Sequence, residues 1–175
     1  MTSREREAIF RRWFEEHLGL MLKVVRGSAA MPQDQDDLLQ DILLQVWSSI
    51  PSFRQEAKET TWIYRVAFNT AMAWRRGERR RREGHESFLK FDLSPQVLPS
   101  HADSSPAQEI VDRLYAAIRQ LPKVEASLAL MQLEGLSYQE MAEVLGISEN
   151  YIGVKLTRIR KQLADLLKGA TNGLR

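Results

Sequence analysis

The stretch LSYQEMAEVLGISENYIGVKLTRIRKQL, Leu136 to Leu163, is the part of the chain whose reading decides the fold. Ser137 with Glu140 three residues later makes a capping box, in which hydroxyl and carboxylate satisfy each other's backbone N–H at a helix start. Gly146 stands where that short helix must end in a left-handed residue. Ser148 caps a new helix two residues on, and Ala142 is small where the two helices would cross. Ile152, Leu156, Ile159 and Leu163 recur at three- and four-residue steps and form a buried stripe. The opposite face presents Asn150, Tyr151, Val154, Lys155, Thr157, Arg158 and Lys161. Two helices on a tight glycine turn, the second basic outside, form the pattern of a DNA-binding helix-turn-helix. An αα-hairpin whose charges only solvate it would use the same caps. The order of small residue, glycine, cap and stripe, together with the basic face, favours DNA.

Outward from this motif every strong period is helical, which predicts an all-α chain of two small domains. Phe10, Phe14, Leu18, Met21 and Val25 mark one amphipathic helix. After Pro32 a second carries Leu38, Leu39, Ile42, Leu43, Val46, Trp47 and Ile50, and Pro51 closes it. A third is expected to be capped by Thr60 or Thr61 and to bury Trp62, Ile63, Val66, Ala67 and Trp74. Residues 83–106, with two prolines in LSPQVLP and no sustained period, read as a flexible linker between a domain at 1–82 and another at 107–175. Phe88, Leu89, Phe91 and Leu93 inside it suggest that parts of it dock. Ser105 and Pro106 open the second half. Ile110, Leu114, Ile118 and Leu121 are expected as the buried face of its first helix, and a further helix covers about 123–133.

Charge and composition narrow the classes of function. The net charge of +2 makes the whole chain no polycation, so local charge matters more than the sum. Residues 74–82, WRRGERRRR, hold six arginines against one acid and form a candidate phosphate-binding run. The chain has no cysteine, which excludes disulfides and thiolate metal sites and suits a reducing compartment. The charged N-terminal stretch lacks the apolar core of a signal peptide, and no run approaches the ~20 apolar residues that span a bilayer. A cytoplasmic protein without membrane insertion is expected. His17, His85 and His101 are scattered, with no carboxylate at metal spacing, and no phosphate loop or serine elbow appears. Neither enzyme nor cofactor is expected.

LSYQEMAEVLGIS resembles region 4 of bacterial sigma factors, the promoter-specificity subunits of RNA polymerase, and in particular the short extracytoplasmic-function (ECF) group. DQDDLLQDILLQVW, residues 34–47, is similar to region 2.2 of that family, and TWIYRVAFNTA, residues 61–71, to region 2.3. Three motifs in the family's order cover nearly the whole chain. The resemblance implies that region 2.2 docks on the β′ clamp coiled coil of core polymerase through Asp37, Gln40, Asp41 and Leu44. These four share a helix face by their spacing, and the acids suit a basic partner. It implies that a melted −10 element is held by Phe53, Arg54, Thr61, Trp62, Tyr64, Arg65 and Asn69, with Arg75, Arg76, Arg79 and Arg80 on the bordering phosphates. Trp62 also lies on the helix's apolar stripe, which leaves a core role open for it. For region 4 the resemblance implies −35 binding by Ser148, Asn150, Tyr151, Val154, Lys155, Thr157, Arg158 and Lys161, with contact to the β flap, and often an anti-sigma factor as partner. The chain departs from the family at Gly153 and Val154, where a basic residue and a serine are usual, so its −35 preference is not inherited. A stand-alone helix-turn-helix regulator and an adaptor that has lost promoter recognition are the rival readings. The region 2.2 face discriminates against the first.

Overall fold

The computed structural model describes residues 2–81 and 106–172, with the side chains of 75–81 and 169–172 outside the description. Seven α-helices and one 3₁₀ turn make up the described residues, without a strand among them. α1 (Ser3–Ser28) begins at a capping box: the Thr2 hydroxyl accepts from Glu5 N–H at 3.2 Å and the Glu5 carboxylate accepts from Thr2 N–H at 2.7 Å. Its deepest stripe is Trp13, Leu20, Met21, Val24 and Val25, while the expected Phe10, Phe14 and Leu18 lie half-buried on its flank. α2 (Pro32–Ser49) takes Pro32 at its first helical position, buries Leu38, Leu39, Ile42, Leu43 and Val46, and runs into the 3₁₀ turn Ile50–Ser52. α3 (Glu59–Arg81) starts earlier than the threonines predict. The turn closes from Trp62 N–H to the Lys58 carbonyl, so Lys58 holds the cap position. Arg12 of α1 clasps Glu59 with both guanidinium ends, at 2.7 and 2.6 Å, and this pairing holds Glu59 in the first turn and its carboxyl below the usual range. Phe53, after the 3₁₀ turn, is wedged between Trp13 (5.2 Å, edge-on) and Trp62 (5.6 Å).

The second half comprises α4 (Pro106–Gln120), α5 (Lys123–Leu133), α6 (Tyr138–Leu145) and α7 (Glu149–Asn172). Here α4 corrects the sequence reading at Ile110, which is 66% exposed; Ile118 and Leu121 are buried as expected, Leu114 is half-buried, and Tyr115 and Ala117 join the buried face. The expected cap Ser105, and the linker up to Pro106 with Phe88, Leu89, Phe91 and Leu93, lie outside the described residues.

The two halves share one hydrophobic core. α4 and α5 lie against α1, and α6 lies against α3. A Cβ at Gly27 would stand 2.6 Å from Leu130 Cδ1, so a side chain there would have to displace the Leu130 methyls at the contact of α1 with α5. The Tyr64 hydroxyl donates to the Ser127 carbonyl at 3.4 Å, and Arg119 donates to the Arg26 carbonyl at 2.7 Å. Two ion pairs rim the contact, Lys23 with Glu134 and Lys58 with Glu140, the latter at 2.9 Å.

Candidate nucleic-acid and polymerase interfaces

The helix-turn-helix forms as its local sequence dictates. Glu140 N–H donates to the Ser137 hydroxyl at 3.2 Å and Ser137 N–H to Glu140 Oε2 at 2.8 Å. Gly146 ends α6 at φ 68°, and its N–H reaches the Ala142 carbonyl at 2.8 Å. The Ser148 hydroxyl accepts from Tyr151 N–H at 3.3 Å and caps α7. Ile152, Leu156 and Ile159 are buried, with Leu163 partly so. On the other face Ser148, Asn150, Tyr151, Val154, Thr157, Arg158 and Lys161 are exposed. Lys155 is the exception and a correction. Its ammonium turns inward onto Glu125 of α5 at 2.7 Å, which raises its pKa, so it does not project with the others.

On α2, Asp37 and Gln40 are exposed, and Asp41 and Leu44 half-buried, on the side away from Leu38, Leu39, Ile42 and Leu43. The expected polymerase face is therefore one continuous outer surface.

The expected −10 set is divided by the fold. Arg54 and Asn69 are exposed. Trp62 is half-buried and donates its indole N–H to the Ser49 hydroxyl at 3.1 Å, and Phe53 is half-buried between two tryptophans. Thr61 and Tyr64, at 1% and 0% exposure, are corrections: neither side chain meets solvent in this packing. Burial holds the Tyr64 hydroxyl well above its usual pKa. Arg65 donates to the Glu143 carbonyl of α6 at 2.6 Å, so one of its guanidinium ends is already taken. The backbone of α3 runs through Arg75, Arg76, Arg79 and Arg80, whose side chains lie outside the description.

Sequence reasoning missed two features beside this surface. Lys58, with 77% of its side chain exposed, stands at the start of α3 next to the expected base-holding loop. Gln55 in that loop has φ 60°, a left-handed backbone uncommon outside glycine. A third point corrects the expectation for histidine. Glu16, His17 and Glu59 carry ligand atoms within 4.8 Å of one another. Arg12 already bonds both carboxylates, so their charge is met by a guanidinium.

Similarity to known proteins follows the same division of the chain. The family model described as Sigma-70 region 2 matches residues 13–81, and that described as Sigma-70, region 4 matches residues 112–163. The chain is 30% identical over 142 residues to the RNA polymerase sigma factor SigZ of Bacillus subtilis, covering 77% of this chain and 73% of SigZ. It is 26% identical over 166 residues to the ECF RNA polymerase sigma factor SigM of Mycobacterium tuberculosis, covering 94% of this chain and 80% of SigM. Among solved structures, CnrH in complex with the cytosolic domain of CnrY is similar at a TM-score of 0.67 and 19% identity, over 93% of this chain and 90% of that one. At that identity the likeness is one of fold.

Proposed function

Because this chain belongs to the sigma-70 family of RNA polymerase sigma factors, in the extracytoplasmic-function group, and directs transcription initiation, we propose a division of labour among its surfaces. The α2 face of Asp37, Gln40, Asp41 and Leu44 docks on the β′ clamp coiled coil. The exposed face of α7 holds the −35 duplex, with α4–α7 also touching the β flap. α3 and the loop before it hold the melted −10 strand, with Arg54, Trp62, Arg65 and Asn69 at the bases and Arg75, Arg76, Arg79 and Arg80 on phosphates. The chain acts by binding and has no chemistry of its own. It works in the cytoplasm, on the nucleoid when promoter-bound.

The observation that carries this reading is the separation of the acidic outer face of α2 from the basic outer face of α7, on opposite sides of their apolar stripes. A regulator that worked without polymerase would have no use for the first. In the packing described, α5 lies over Tyr64 and α6 engages Lys58 and Arg65. The −10 strand therefore reaches α3 only once α6 has swung away, and an anti-sigma factor that favours the closed packing would silence the chain. Run-off transcription from a promoter library with purified core polymerase tests the whole. Core-dependent initiation at a shared pair of motifs is expected. Tight DNA binding by the chain alone, with no initiation by core, would replace this reading with that of a stand-alone regulator.

A further inference from the structure

Gly153 and Val154, the two positions where the recognition helix departs from its family, lie beside Tyr138 of α6. A Cβ at Gly153 would stand 3.4 Å from Tyr138 Cε2, an ordinary van der Waals contact, so the tyrosine ring lies beside the helix at this position. The ring is seated on the recognition face, 38% exposed, beside Val154 at 51% and Tyr151 at 47%. Tyr138, Glu149, Asn150, Gly153, Val154 and Thr157 line one open cleft of about 450 Å³. Glu149, Asn150, Gly153 and Val154 lie in the first two turns of α7, the part of a recognition helix that meets base edges, while Tyr138 comes from the start of α6.

The chemistry of the cleft is unusual for a DNA-reading surface. Lys155 is withdrawn onto Glu125, and the Thr157 hydroxyl donates to the Gly153 carbonyl at 3.0 Å. The exposed cations of the same stripe, Arg158 and Lys161, come one and two turns later. No arginine or lysine stands at the centre to fork onto guanine. What stands there is apolar, with one amide. The thymine C5-methyl is the apolar group that a base pair offers in the major groove, and an asparagine amide pairs with the N6 and N7 of adenine.

We propose that this cleft reads A·T pairs in the −35 element, with Val154 and the Tyr138 ring packing on a thymine methyl and Asn150 pairing with a neighbouring adenine. Arg158 and Lys161 supply the flanking phosphate contacts, and Glu149 at the edge disfavours a phosphate entering the cleft. The inference rests on α6–α7 being the −35-binding unit. Gly153, without a side chain, leaves the cleft open beside Tyr138 and takes no part in readout itself.

Deoxyuridine is the probe, because it differs from thymidine only in the missing methyl. Holoenzyme is assembled with full-length chain on a promoter obtained from the library. Each −35 thymine on either strand is replaced singly by deoxyuridine, and half-saturation of initiation is measured. One or two positions should lose about fourfold, the worth of one buried methyl. Val154→Ala, at an exposed site that leaves the fold alone, should bind more weakly and erase most of that difference between thymine and uracil. Equal half-saturation for every deoxyuridine template, or a selected −35 element without thymine, overturns the inference while the sigma reading stands. A thymine effect undiminished in Val154→Ala overturns the assignment to this cleft. Failure of core to initiate at all would bring down the sigma reading itself, and this inference with it.

Discussion

Glu140 joins two levels of the structure, and removing its charge should be felt at both. Its Oε2 accepts from Ser137 N–H and the Ser137 hydroxyl, at 2.8 and 2.9 Å, completing the cap of α6. Its Oε1 takes the Lys58 ammonium across the contact between the halves, at 2.9 Å. The Lys58 bond first, then the Ser137 bonds, lower its pKa from 4.5 to about 2. A depression of that size sets a ceiling of ~3 kcal/mol on its contribution at neutral pH. The ceiling is not reached, because the Lys58 side chain is 77% exposed and its half of the attraction is screened by solvent. A cap carboxylate with a screened ion pair stabilises by about 1–2 kcal/mol, and Glu140→Gln should cost that much at pH 7. Glutamine keeps the shape but turns an amide N–H₂ toward Lys58 or toward Ser137 N–H, donor against donor.

The pH dependence has a definite sign. The folded-state pKa lies below the unfolded one, so the stabilisation is complete above pH 4.5 and is lost as pH falls toward 2. Urea unfolding at pH 7 and pH 3 is the assay. The gap between wild type and Glu140→Gln should shrink by roughly half at the lower pH. Lys58→Ala at pH 7 should cost less, and the double variant should show the two are coupled. An unchanged urea midpoint for Glu140→Gln at pH 7, or a gap that widens at pH 3, would refute the reasoning.

Three further outcomes are expected. Gly27→Leu overfills the contact with Leu130 and should cost about 1–3 kcal/mol or separate the halves. A larger radius of gyration by solution X-ray scattering, with stronger binding of single-stranded −10 DNA, is the predicted result, and unaltered scattering and stability would contradict it. Gly146→Ala forces a Cβ into a left-handed backbone and should lower helix-turn-helix stability by about 1 kcal/mol, read as a fall in melting temperature. Asp37→Lys reverses a charge on the outer face of α2 with little effect on folding, and should weaken core polymerase binding in a competition assay against wild type. Equal competition would remove Asp37 from that interface.

What could be read from the chain by itself is what is decided within a few residues. The helix-turn-helix was legible because each of its devices spans three or four positions: Ser137 with Glu140, Gly146 with Ala142, Ser148 with Tyr151. The capping box of Thr2 and Glu5 is equally local and was open to the same reading. The acidic face of α2 followed from period alone, since Asp37 and Gln40 fall between apolar residues that had to be buried. Periodicity says which side of a helix is apolar. It does not say which element covers that side, nor what a long polar side chain finds within reach. Lys155 meets Glu125 thirty residues away, Arg12 sets the start of α3 through Glu59 across 47, and Arg65 reaches α6 across 78. Ile110, in the first turns of α4, is left uncovered, while Ile118 and Leu121 of the same expected face are buried. Tyr64 lies under Ser127, and Gly27 under Leu130. The sequence by itself determined the helices, the caps of the helix-turn-helix and the family. Only the tertiary structure decided which DNA-facing residues are covered, because that depends on contacts between halves whose partners lie far apart in the chain.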